Sequence, residues 1–172
     1  DSDRARAEAL MTSPKDLDEH RFAVHSVLES LCAEGIVGVA DELPFALKLP
    51  NLWHLGTDVA AHLPENFNAL HALDAIHPTA AVAGSPKDEA LRFIQENEGF
   101  DRGGYAGPVG WIDSRGNGDW ALGLRSARFN PSEGTFTAYA GAGIVADSDP
   151  EQEWLETELK LHPIHAAIDA NS

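Results

Sequence analysis

Two short acidic clusters, Asp16-Leu17-Asp18-Glu19-His20 and Glu153-Trp154-Leu155-Glu156-Thr157-Glu158-Leu159-Lys160, hold the residue types and spacings best suited to chemistry. In the second, Glu153, Glu156 and Lys160 stand at i, i+3 and i+7, which at about 100° per residue places all three within a narrow arc of a helix. Asp16 and Glu19 repeat the i, i+3 spacing. Two such helices could together offer four oxygen-bearing side chains to a hard cation such as Mg²⁺. The same spacings also describe solvated helix faces, because surface helices carry many acid and acid–base pairs. Spacing alone leaves both open.

The elements that must position these clusters have clear start signals. Ser13-Pro14-Lys15-Asp16, Ser85-Pro86-Lys87-Asp88 and Asp149-Pro150-Glu151-Gln152 each combine a capping oxygen, Pro at the first helical position and an acceptor at the third. The first helix is expected to run to about Cys32 and stop near Gly35, with Leu17, Val24, Val27, Leu28 and Leu31 as its apolar stripe. Glu19 lies on another side, with the small residues Ala23, Ser26 and Ser30. The second helix is expected over Ser85 to Asn97, and the third from Asp149 toward Ile168 with a kink at Pro163. A weaker pattern spans Asn66 to Ile76, and an extended stretch covers Leu43 to Val59.

Between the last two strong helices, Tyr105 to Ile112, Trp120 to Phe129 and Thr135 to Val145 read as a three-stranded meander, separated by turn-forming Ser114–Gly118 and Asn130–Gly134. On the middle strand Trp120, Leu122 and Leu124 alternate with Ala121, Gly123, Arg125 and Ala127, so one face would be bulky and apolar while Arg125 rises from a floor of small residues. A lone Arg there suggests an anion. On the third strand, Ala140-Gly141-Ala142-Gly143 would let a ligand approach the backbone N–H groups. Tight packing against a helix, with Arg125 paired to an acid, accounts for the same residues equally well.

Composition narrows the partners. The chain has 172 residues, 43% of them hydrophobic, enough for a real core as one domain or part of a larger one. Lys and Arg total 12 against 28 Asp and Glu, a net charge of −16, which argues against sequence-independent attraction to nucleic acid or an anionic membrane. A single Cys32, expected as a small core residue, excludes an internal disulfide framework. No apolar run is long enough to span a bilayer and no charged-then-apolar leader is present. These features predict a cytoplasmic protein. The first residue is Asp rather than Met, so completeness is left open.

The motif set resembles the chorismate-utilising enzymes: isochorismate synthase, salicylate synthase and the large components of anthranilate and aminodeoxychorismate synthases. The residues that carry the resemblance are Lys15–His20, Leu52-Trp53-His54-Leu55-Gly56-Thr57, His77–Lys87, Tyr105-Ala106-Gly107, Arg125-Ser126-Ala127, Ala140–Val145 and Glu156–Lys160. Gly110-Trp111-Ile112-Asp113, Gly116-Asn117-Gly118-Asp119-Trp120 and the Trp53-His54 pair are most similar to the isochorismate synthase branch, and Ala81 fits it. Ala80 departs from the Pro often found after His77-Pro78-Thr79.

The resemblance implies an α/β fold of the α+β type, with antiparallel sheet flanked by helices. It makes residues 1–172 the C-terminal portion of a single chorismate-binding domain, with the N-terminal portion absent. It further implies Glu19 and Glu156 as direct Mg²⁺ ligands, with Asp16 and Glu153 one turn away on metal-bound waters. Arg125 and the Gly141 N–H would clamp the enolpyruvyl carboxylate. Lys160 and the Gly84 turn would face the ring carboxylate, Ala81 and Tyr105 would line the pocket, and His54 would stand near the ring hydroxyl. The implied reaction isomerises chorismate to isochorismate, with Mg²⁺ as cofactor and chorismate and the N-terminal portion as partners. The general base and acid would lie in that N-terminal portion, so the isolated chain is expected to be inactive. A non-catalytic module on the same scaffold, or a salicylate synthase, are the alternatives.

Overall fold

The computed structural model describes residues 2–48 and 53–169, which divide into two compact units, one within Asp1–Ala80 and Ile112–Gly118, the other within Ala81–Trp111 and Asp119–Ser172. Leu52, quoted above, lies outside the described residues. The fold is of the α+β type, helices with small antiparallel sheets.

The first unit opens with α1 (Ser2–Thr12), which the sequence patterns did not announce. Asp3 ties it to the sheet, accepting from Lys48 and, at 2.9 Å, from Trp53 Nε1. These bonds, Lys48 first, hold the Asp3 carboxyl below its ordinary pKa. Helix α2 (Pro14–Ala33) starts as expected, with the Ser13 side chain accepting from the Asp16 N–H at 3.3 Å. It ends in a Schellman motif: Ile36 N–H donates to Leu31 O at 2.9 Å and Gly35 N–H to Cys32 O at 3.0 Å. Gly35 takes φ +73°, and Leu31 and Ile36, joined by that backbone bond across the chain reversal, are buried at 5% and 1% exposure. Cys32 is exposed rather than in the core. It shares the outer face with His25 and Glu29, an i, i+4 pair 3.1 Å apart, while Leu31 takes the inward position.

Four strands follow as nested antiparallel pairs. β1 (Gly38–Ala40) pairs with β4 (Val59–Ala61), and between them β2 (Phe45–Lys48) pairs with β3 (Trp53–Gly56) with His54 opposite Leu47. The helix read over Asn66 to Ile76 begins later, as α3 (Ala69–Ile76). Asn68 caps it, accepting from Leu70 and His71 N–H, while His71 Nδ1 accepts from the Asn68 N–H.

In the second unit a short α4 (Ala80–Ala83) precedes α5 (Lys87–Asn97). Here the expected Ser85 cap does not form. Pro86 is itself the N-cap, in extended conformation at φ −63° and ψ 142°, with Asp88 and Glu89 in the first turn beside the positive helix end. The expected meander is instead two hairpins. β5 (Pro108–Ile112) pairs with β6 (Gly118–Leu122), and β7 (Ala127–Asn130) with β8 (Thr135–Ala138). The middle run breaks because Leu124 N–H turns back to Leu122 O at 2.7 Å and Arg125 adopts φ +52°. Helix α6 (Pro150–Asp169) is capped by Asp149 Oδ1, which accepts from Glu151 and Gln152 N–H at 3.0 Å, and the helix continues through Pro163. Thr157, Leu161, Ile164 and Ile168 face inward on α6, whereas Leu155 and Leu159 are exposed. No helix among the described residues is long and apolar enough to cross a membrane.

The β5–β6 hairpin leaves no room at Gly110, where an added Cβ would sit 2.1 Å from Asp119 O and 2.7 Å from the Trp120 ring. Backbone cannot give way as a flexible side chain would, so Gly110→Ala is expected to lower stability by about 2 kcal/mol or more. Urea denaturation checks this, and an unchanged midpoint would refute it.

Candidate active site

In the second unit four of the expected site residues converge. Lys160, with its side chain only 20% exposed, donates from Nζ to Gly141 O at 2.8 Å and forms an ion pair with Glu156 one turn earlier. Tyr105 closes the other side: a Cβ built on Gly141 would lie 3.3 Å from its hydroxyl oxygen. The Tyr105 ring stacks on Tyr139 at 5.4 Å, and the Arg102 guanidinium lies 5.6 Å from its centroid. Residues Ala140–Gly143 form a loop after β8, not a strand, because β8 ends at Ala138. The Lys160 ammonium fastens that loop to α6.

Arg125 projects from the link between β6 and β7 rather than from a strand. It is exposed and makes no hydrogen bond or ion pair among the described residues. It is thus available for an anion. Glu153 is half-buried in the first turn of α6 and Glu156 is 52% exposed. Gly84 follows α4 at φ +91°, where a Cβ would meet Ala90 at 2.9 Å, and Ala81 is exposed on α4.

In the first unit Asp16 is half-buried, and Glu19 and His54 are exposed. His20, beside Glu19, is joined through Nε2 to Thr57 Oγ1 at 2.7 Å. Burial pushes its imidazole below the ordinary pKa of 6.5.

No group of three or more His, Cys, Asp or Glu side chains among the described residues makes a ready metal cage. The candidate ligands come as two carboxylate pairs, Asp16 with Glu19 in one unit and Glu153 with Glu156 in the other. The donor chemistry still fits Mg²⁺, which takes one or two protein carboxylates and fills its octahedron with water and substrate oxygens.

Sequence reasoning passed over Tyr139 and Arg102. With Tyr105, Ser126 and Arg128 they line a surface cavity. Glu98 grips Arg102 through both oxygens and raises its pKa further, the Glu98 hydrogen bonds being the main cause. The clustered aromatics Phe100, Tyr105 and Tyr139 were the available signal.

Comparison with known proteins decides the family. The family model for chorismate binding enzymes matches residues 1–169. The chain belongs to the chorismate binding enzyme family. This chorismate binding enzyme chain is 40% identical over 168 residues to the salicylate biosynthesis isochorismate synthase of Pseudomonas aeruginosa, covering 98% of this chain and 35% of that protein. It is also 40% identical over 162 residues to anthranilate synthase component 1 of Saccharolobus solfataricus, covering 92% and 38%. The crystal structure of DhbC from Bacillus anthracis superposes with a TM-score of 0.88 at 38% identity, covering 98% of this chain and 44% of that one. The chain thus spans well under half the length of these relatives.

Proposed function

We propose that this chain supplies the metal-binding and carboxylate-binding portion of an isochorismate synthase, acting on chorismate with Mg²⁺. The observation that carries the proposal is the convergence of Lys160, Glu156, Gly141 and Tyr105. An ammonium has three donors, and two are used on Gly141 O and Glu156, leaving one for a ligand carboxylate. Arg125 offers a planar fork to a second carboxylate, with the Gly141 N–H as a further donor. Chorismate carries two carboxylates, on the ring and on the enolpyruvyl group, so two such anchors orient it.

Glu19 and Glu156 would hold Mg²⁺, with Asp16 and Glu153 on its waters, and His54, Ala81 and the Gly84 turn would shape the pocket. When bound, Mg²⁺ would offset substrate charge and fix its orientation. In the isomerisation, water bonds to ring carbon 2, the two double bonds shift, and the hydroxyl on carbon 4 leaves. One proton is taken from the water and one is given to the departing hydroxyl, so substrate and product are isomers. The base and acid for those transfers are proposed to lie in a polypeptide matching the part of the relatives this chain does not cover. Phe129 and Phe136, both exposed and paired across β7 and β8, give such a partner an apolar surface to cover.

The test is to mix the chain with chorismate and Mg²⁺, alone and with the uncovered N-terminal portion of an isochorismate synthase relative. Isochorismate is expected only in the combination. Conversion by the chain alone overturns the dependence. Absence of Mg²⁺-dependent chorismate binding overturns the site and favours a non-catalytic module. Released pyruvate would instead identify salicylate synthase chemistry.

A further inference from the structure

Two motif residues with no part in the proposed chemistry meet inside the first unit. His20 follows Glu19 in sequence, and Thr57 closes the run that holds His54. They are 37 residues apart in the chain and 2.7 Å apart between Nε2 and Oγ1, and both are half-buried. The structure fixes the ground on each side of this contact. The Phe45 ring lies over the backbone at Gly56, where an added Cβ would be 2.7 Å from it, so the chain just before Thr57 is held against β2. On α2, Leu28 and Leu31 close over Gly38, each 3.0 Å from a Cβ built there.

That apolar contact secures the C-terminal half of α2. The half that carries Asp16 and Glu19 sits two to four turns away from it. Apolar packing is non-directional and leaves a helix end free to turn by a few degrees, whereas a hydrogen bond depends steeply on angle. A bond at His20 therefore sets the rotation of the helical turn that includes Asp16, four residues earlier, and Glu19, its neighbour.

We propose that the His20–Thr57 hydrogen bond is a brace that locks the carboxylate-bearing turn of α2 to the strand holding His54, so that Asp16, Glu19 and His54 are presented as one fixed set. His20 is a positioning residue; it touches no ligand in this scheme. What the set binds rests on the function proposed above, but the brace is a property of the first unit itself.

The test uses Thr57→Val, which keeps the shape and removes the hydroxyl, and Thr57→Ser, which restores it. Thr57→Ala replaces Val should that variant not fold. Three readouts are taken on the 172-residue chain: the His20 ring nitrogen resonances, nuclear Overhauser contacts between residues 16–20 and 54–57, and calorimetric titration with MgCl₂. In the Val variant the Nε2 resonance is expected to move, the contacts to weaken and Mg²⁺ affinity to fall at least threefold, with Ser returning all three toward the parent. An unmoved ring resonance or intact contacts overturns the brace. Lower thermal stability with unchanged contacts and Mg²⁺ affinity shows a merely structural bond and overturns it equally. A parent chain that takes up no Mg²⁺ defeats the functional proposal instead, and the two spectroscopic readouts then decide the brace without it.

Discussion

Replacing Glu156 with Gln is expected to abolish Mg²⁺-dependent binding of chorismate while leaving the second unit folded. The side chain is 52% exposed and its Lys160 partner keeps the bond to Gly141 O, so the structural loss is that of a surface ion pair, about 0–1 kcal/mol. The functional loss is larger because a hard cation held by only one or two protein carboxylates loses a large share of its protein charge with one of them. Groups that merely orient metal ligands cost about 10–100-fold when changed, and a direct ligand is expected to cost at least the upper end of that range. Calorimetry with Mg²⁺ and chorismate, paired with circular dichroism to confirm the fold, measures both sides. Unchanged affinity in the variant would remove Glu156 from the site.

Lys160→Met is the second change with a large expected effect. Methionine keeps most of the apolar stem of a side chain that is only 20% exposed and deletes the charged head. A charge-assisted hydrogen bond contributes about 1.5–3 kcal/mol, so detaching the 139–145 loop from α6 and removing the donor for a ligand carboxylate should weaken chorismate binding by about 10–100-fold. Hydrogen exchange at residues 141–144 should quicken in the same variant, because Gly141 O loses its tether. Slow exchange with weakened binding would separate a ligand contact from loop anchoring. Full retention of both would refute the role.

The placement of Glu156 and Lys160 on one side of α6 was legible in the sequence because helix geometry is regular: once Asp149-Pro150 fixed the start of α6, the i, i+3 and i+7 spacing determined which side chains share an arc. The end of α2 was equally readable, since Gly35 is where a left-handed residue closes the helix. Arg125 was placed on a strand and is not, because Trp120, Leu122 and Leu124 keep a period of two up to the point where the backbone turns through a positive φ at Arg125. Cys32 was assigned inward by its apolar character, although its place on the helix puts it beside His25 and Glu29. Helix α1 carries no apolar stripe and no cap signal, and it is attached by the polar contacts of Asp3 with Lys48 and Trp53, which no local pattern encodes. The Tyr105–Tyr139 stack and the His20–Thr57 bond share that character, since both join residues more than thirty positions apart.

Every strand among the described residues has one neighbour, and β7 and β8 carry a cross-strand pair of exposed rings, Phe129 and Phe136, whose centroids are 4.7 Å apart. Each ribbon therefore has an edge whose amide donors and carbonyl acceptors meet no second strand among the described residues, spaced to receive another extended backbone. Such a border does not discriminate by sequence: a second molecule of this chain or an unrelated extended peptide could dock along it. Concentration is then expected to set how far preparations of this chain associate, which light scattering across a dilution series would show.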